Sequence, residues 1–313
     1  MERAVEARGV EKTFVTGLFK KRRTHALKGV DIEIPRGTIF GLLGPNGAGK
    51  TTFLAILATL LTPDRGTVKV LGMDVVTQAK EIRRRINMSS GHANFLWSLT
   101  LRENLEFYCM LYGLRGRELR LRTDELLDLF DLNEFKSVRF ESCSTGTKQR
   151  LALAKALVNT PEVLFLDEPT VGLDPDVSQR IRKGIKELHE TKSMTILLTT
   201  HNMAEAEELC EEIVLIKDGR VWIRGMASEI KEKMHLGDMV RIRIMDTAPV
   251  PDLLGLPGVW KTTTEDRWLI IQLDDHRTRL QAVLHRLASQ GCFVEDLSIE
   301  ESRLEDVFVR FAR

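Results

Sequence analysis

The run Gly44, Pro45, Asn46, Gly47, Ala48, Gly49, Lys50, Thr51 and Thr52 constrains this chain more than any other stretch. Its glycines let successive backbone N–H groups turn toward one anion, and the start of a helix adds its positive dipole. Lys50 is placed to reach the β and γ phosphates of a nucleoside triphosphate, and the Thr51 hydroxyl to hold Mg²⁺. The flanks agree with that reading. Thr38 to Leu43 reads as a short buried strand and Phe53 to Leu61 as a buried helix, which is the strand-to-helix setting such a cradle requires.

A second apolar strand, Val163 to Leu166, runs into two adjacent carboxylates, Asp167 and Glu168. Paired acids are costly in a core but useful at a strand end that faces a metal and water. Asp167 suits the metal's hydration shell opposite Thr51, and Glu168 suits the water that attacks a γ phosphate. Upstream, Ser144-Thr-Gly146-Thr-Lys-Gln-Arg150 opens directly into the helical run Leu151 to Leu157. A serine hydroxyl and a bare glycine N–H at a helix start form an anion receptor, and plain helix capping is the competing reading.

Together these motifs resemble the ABC ATPase family across residues 1–230. The segment from Cys143 to Thr147 is similar to the family's signature, and Gly172-Leu-Asp174-Pro175 follows at the family's usual distance. The resemblance implies that Ser144, Gly146 and Asp174 act in trans on a neighbouring cassette's nucleotide. It also implies that His201, after Leu198-Thr-Thr, is the switch histidine that donates to the γ phosphate, and that Phe14 stacks on adenine. ATP and Mg²⁺ are then the ligands. One position departs from the pattern: Gly91, followed by His92, stands where the family places the glutamine of its Q-loop. Either His92 or a water takes over that contact, or turnover is slow and binding does more of the regulatory work.

The expected fold is α/β: a P-loop ABC ATPase cassette at 1–230 with a parallel core sheet, an antiparallel β subdomain and a helical subdomain at about 94–160. The parallel core is read from helix 147–159, strand 163–166, helix 177–190, strand 194–198 and helix 202–211 in alternation. A small C-terminal α+β domain is expected at 231–313, with strands near 239–245, 258–263 and 268–273 and a helix near 276–290. The basic run Lys20 to Arg23 reads as a solvated loop in preference to a phosphate or headgroup contact.

Composition narrows the function classes. With 46 basic against 45 acidic residues and 6% aromatics, no field or stacking surface recruits nucleic acid. Cys109, Cys143, Cys210 and Cys292 are scattered without a C-x-x-C pair, as expected of reduced thiols in a cytoplasmic protein with no metal-site spacing. No apolar stretch is long enough to cross a bilayer, so any membrane work falls to another chain. The resemblance then implies an ATPase peripheral on the cytoplasmic face of a membrane. A second cassette, as a homodimer, and a separate transmembrane permease subunit are the implied partners, and segment 94–131 is the candidate docking surface. Leu304-Glu-Asp-Val-Phe308 is similar to the end of exporter-type subunits, which favours an exporter. The alternatives are a soluble ABC clamp on a macromolecule and a slow nucleotide-sensing cassette. A GTPase is disfavoured because no guanine-reading N-K-x-D element is present.

Overall fold

The computed structural model describes residues 2–17, 22–90, 94–234, 236–245 and 251–307. The chain divides into two compact units, Met1–Arg224 and Gly225–Arg313.

In the first unit, β1 (Arg3–Thr16) and β2 (Arg22–Pro35) form a long antiparallel ribbon. Next come β3 (Ile39–Leu43), α1 (Lys50–Leu57), β4 (Arg65–Val70), β5 (Met73–Asp74), α2 (Ala79–Arg85) and β6 (Ile86–Ser90). Helices α3 (Leu101–Leu111), α4 (Gly116–Leu129) and α5 (Thr145–Ala156) follow. The chain then alternates through β7 (Val163–Asp167), α6 (Pro175–Lys192), β8 (Thr195–Thr200) and α7 (Met203–Leu209), and ends in β9 (Glu212–Lys217) and β10 (Arg220–Gly225).

The strands build two sheets. One has the order β2-β1-β4-β5, and the core sheet has the order β10-β9-β3-β8-β7-β6. Strands β6, β7, β8, β3 and β9 are parallel, so the alternation of helix and strand in the sequence gives the expected parallel α/β core. Side chains of the core strands alternate between two apolar layers. Phe40, Phe165 and Leu197 pack with the antiparallel sheet and α1, while Leu164, Leu166 and Leu198 pack with the helices that include α3, α4 and α5. Full burial of each such side chain is worth on the order of 1.5–3 kcal/mol, and it leaves polar groups only at the strand ends.

Two edge strands escaped the sequence pattern. Strand β6, Ile-Asn-Met-Ser-Ser, pairs only with β7 and has no apolar run. Strand β14 (Val294–Glu300), in the second unit, is exposed along most of its length. Helix α1 begins at Lys50 because Gly49 caps it with φ +108°, and it ends by Ala58, where Thr59 turns left-handed. The basic run is also reassigned in part: Arg22 and Arg23 already belong to β2. Lys20 and Lys21 lie outside the described residues.

The second unit starts with α8 (Ala227–Lys233) and holds β11 (Asp238–Ile244), β12 (Val259–Glu265), β13 (Trp268–Leu273), α9 (His276–Ser289) and β14 (Val294–Glu300). Its sheet order is β12-β13-β11-β14, with Val240, Ile242, Ile271, Val283 and Leu287 in its core. The unit begins six residues before the expected boundary at 231, and at the start of α8 the Met226 N–H donates to the Glu229 carboxylate at 3.2 Å.

Candidate functional site

The carboxyl ends of parallel strands are where an open α/β sheet binds ligands, since backbone and side chains there leave the apolar core together. Strand β3 delivers the Gly44 to Gly49 loop, β7 delivers Asp167 and Glu168, and β8 delivers Thr199, Thr200 and His201. The loop is tightly wrapped. A Cβ at Gly49 would lie 2.5 Å from the Ala26 carbonyl oxygen, so no larger residue fits beside β2. Thr52 lies in the first turn of α1.

Lys50 folds back over its own loop. Its Nζ donates to the carbonyl oxygens of Gly44 at 2.7 Å and Pro45 at 3.2 Å, and stands 3.8 Å from Glu168 Oε1. The side chain is 5% exposed, and burial holds its pKa below the usual lysine value against the pull of Glu168 and Asp167. Glu168 is shared: its other carboxylate oxygen lies 3.2 Å from His201 Nδ1. The Thr51 hydroxyl donates to the Asp167 carboxylate at 3.3 and 3.5 Å. This cluster of hard oxygens is of the kind Mg²⁺ selects.

Thr199 is a member of the site that the sequence reading passed over. Its hydroxyl donates to Asp167 Oδ1 at 2.5 Å, while its carbonyl and hydroxyl oxygens accept from Glu168 N at 3.0 and 3.2 Å. Those bonds hold Glu168 in a left-handed backbone, φ +50°, which is unfavourable for a residue with a side chain. The available signal was two threonines ending a wholly buried strand just before His201.

The remaining candidates are separate from this cluster. Ser144 caps α5, its hydroxyl accepting from Thr147 N at 3.2 Å, so the capping reading holds within the chain. Gly146 packs against α6, where a Cβ would come within 2.9 Å of a Val177 methyl. Asp174 is the N-cap residue of α6, with Pro175 in the first turn and no side-chain capping bond. Phe14 lies on β1 with Lys12 Nζ 6.0 Å from its ring centre. Among the described residues, no hydrogen bond or ion pair joins these four to Lys50, Asp167, Glu168 or His201. Gly91 and His92 lie outside the described residues.

Comparison with known proteins places this geometry. Residues 27–171 match the family described as ABC transporter, and residues 225–312 match the C-terminal domain of ATP-binding proteins like DrrA1-3. The chain is 39% identical to the daunorubicin resistance ATP-binding protein DrrA3 of Streptomyces coeruleorubidus, over 91% of this chain and 90% of that one. The chain belongs to the ABC transporter ATP-binding proteins. It is 36% identical to the Nod factor export ATP-binding protein I of Burkholderia thailandensis, with 90% of each chain covered. A dimeric ATP-binding cassette, MJ0796, bound to ADP and phosphate superposes with a TM-score of 0.65 at 30% identity. That match covers 71% of this chain and 98% of the other. The expected fold is thus the one present, and this ABC protein is an ATP-binding, ATP-hydrolysing subunit of the export type. Among the described residues, no helix is long and apolar enough to cross a membrane.

Proposed function

We propose that two copies of this chain close head to tail on ATP, and that hydrolysis releases them to drive a separate membrane-spanning subunit. The observation that carries this reading is a division of labour within one chain. Lys50, Asp167, Glu168 and His201 converge at the strand ends, while Ser144 and Gly146 are spent on a helix start elsewhere. A second copy supplies the missing face, and two-fold symmetry then makes two equivalent sites. The dimeric form of the MJ0796 cassette supports this arrangement by analogy.

At each site, Lys50 exchanges its contacts with Glu168 and its own loop for the β and γ phosphates. This is favourable because phosphate oxygens compensate the buried ammonium better than carbonyl dipoles do. Mg²⁺, held by Thr51 and Asp167, would neutralise phosphate charge. Glu168, freed from Lys50, accepts a proton from the attacking water, and His201 donates toward the γ phosphate. Ser144 and Gly146 of the second copy close over the same phosphate through a hydroxyl and a backbone N–H at the start of α5. Phe14 is assigned to the adenine and Asp174 to the facing cassette.

The membrane partner is assigned a seat in the first unit. A cleft of about 320 Å³ lies among Ala58, Leu60, Arg83, Ile86, Met88 and Tyr112. Leu60, Leu111 and Tyr112 are exposed apolar side chains on or beside it. The location that goes with this reading is the cytoplasmic face of a membrane.

The test is Glu168→Gln. This variant should bind ATP with unchanged affinity, hydrolyse it about 10²-fold more slowly, and accumulate a dimer in light scattering. A monomer at saturating ATP with Mg²⁺ sinks the head-to-tail reading, and undiminished turnover removes Glu168 as the base.

A further inference from the structure

Glu205 is the most deeply buried acid of the first unit, at 1% exposure, and it takes no part in the chemistry described above. It lies in the first turn of α7, four residues after His201, where its backbone N–H is capped by the Asn202 side chain at 3.1 Å. One carboxyl oxygen accepts from the Thr170 hydroxyl at 2.7 Å, and the Thr200 hydroxyl stands beside the same carboxyl. Burial pushes the carboxyl's pKa up, opposed by the neighbouring Thr200 and Thr170 hydroxyls and by the charge of Arg182. That arginine, on α6, is itself paired with Glu208 at 2.7 Å. An apolar side chain would be cheaper at such a position.

Thr170 explains why an acid stands there. It is itself buried, two residues beyond Glu168, in the loop that leads to Asp174. Successive turns fold this loop, from Val171 N to the Glu168 carbonyl at 3.3 Å and from Leu173 N to the Thr170 carbonyl at 3.3 Å. On its other side, the Gln149 amide of α5 donates to the Pro169 carbonyl at 2.8 Å. Glu168 sits at the head of the loop with its left-handed backbone, a conformation that persists only where surrounding bonds over-determine it. Thr199 fixes it from upstream, and the Thr170–Glu205 bond is the matching anchor downstream.

We propose that Glu205 is a positioning residue for hydrolysis. Through the Thr170 hydroxyl, its carboxyl keeps the loop after Glu168 in register with the helix that follows His201. Glu168 and His201 come from different strands, and their 3.2 Å contact depends on that register. With Gln149, the same tether links the α5 helix that carries Ser144 to the strand end that carries Glu168. The inference rests on the roles given above to Glu168 and His201, and it has a readout that does not depend on them.

The experiment compares Glu205→Gln, Glu205→Ala, Thr170→Val and the Glu205→Ala/Thr170→Val double variant in the full chain. Glutamine keeps an oxygen that accepts from Thr170, so its kcat should stay within about twofold of the parent. Glu205→Ala and Thr170→Val should each lower kcat about tenfold while KM for ATP moves less than about twofold. The double variant should lose no more than the worse single one, because both changes cut one bond. In the nucleotide-free protein, amide hydrogen exchange over 168–173 should quicken in Glu205→Ala and Thr170→Val but not in Glu205→Gln. Losses that multiply, a KM that rises as kcat falls, or unaltered exchange in both Glu205→Ala and Thr170→Val would overturn the tether. A parent protein whose turnover ignores Glu168→Gln would instead overturn the functional reading, and the exchange data would still decide the tether.

Discussion

At the carboxyl end of the core sheet, Glu168 divides itself between Lys50 at 3.8 Å and His201 at 3.2 Å; at the amino end, Arg85 and Glu162 clasp each other through two parallel contacts. Both ends carry a cation and a glutamate at strand termini. They differ in how far each charge is satisfied. Glu162 is also tied through its backbone, its N–H donating to the Arg85 carbonyl at 2.7 Å, and the guanidinium holds its carboxyl below the usual range. Lys50 is buried with partners that are loose or neutral, and its pKa is driven down by that burial. A saturated pair has nothing to offer a ligand. A buried charge with incomplete compensation gains when an anion arrives, which is how the two ends are told apart on physical grounds.

The contrast can be broken most severely at Lys50. Lys50→Ala should lower ATP turnover by about 10³-fold and abolish measurable triphosphate binding, read by nucleotide titration. Retained affinity would mean that the loop's backbone alone supplies the site. His201→Ala comes next, with kcat reduced about 10²-fold at nearly unchanged ATP affinity, since its partner Glu168 would lose orientation and the phosphate a donor. A loss of binding as large as the loss in kcat would move His201 from hydrolysis to recognition.

The smallest effect belongs to the amino end. Glu162→Gln should leave turnover unchanged and cost no more than about 1 kcal/mol of stability by denaturant titration, because both partners are about 40% exposed and water screens them. Its pH signature has a definite sign. The folded carboxyl titrates below its ordinary value of 4.5, so its stabilisation is complete above that pH and is lost as pH falls through the depressed folded value. Removing the carboxylate should flatten the acid limb of the stability curve; a flattened alkaline limb would contradict the assignment.

Much of the site could be read from the amino-acid order. Residues 44–52 are contiguous, so the glycines, the lysine and the hydroxyls of the cradle can be read from one short stretch. The acids of β7 and the histidine after β8 are each marked by an apolar strand that ends abruptly in polar residues. The parallel core was legible for the same reason, since strands buried on both faces need uninterrupted apolar runs. Edge strands β6 and β14 were hidden because one free side removes that need.

What sequence could not supply was convergence. Thr199 and Glu205 are ordinary residues in their local context, and only the packing of β7 beside β8 and of α7 near the loop after Glu168 gives them partners. Likewise the sequence offers Gly146 only as an anion receptor, and tertiary packing adds a second demand for a small residue there, since a Cβ would come within 2.9 Å of a Val177 methyl. Sequence alone determined the elements and their order, because periodicity and turn chemistry act over a few residues. Only the tertiary structure decided which charges are left uncompensated, because that depends on distances between strands far apart in the chain.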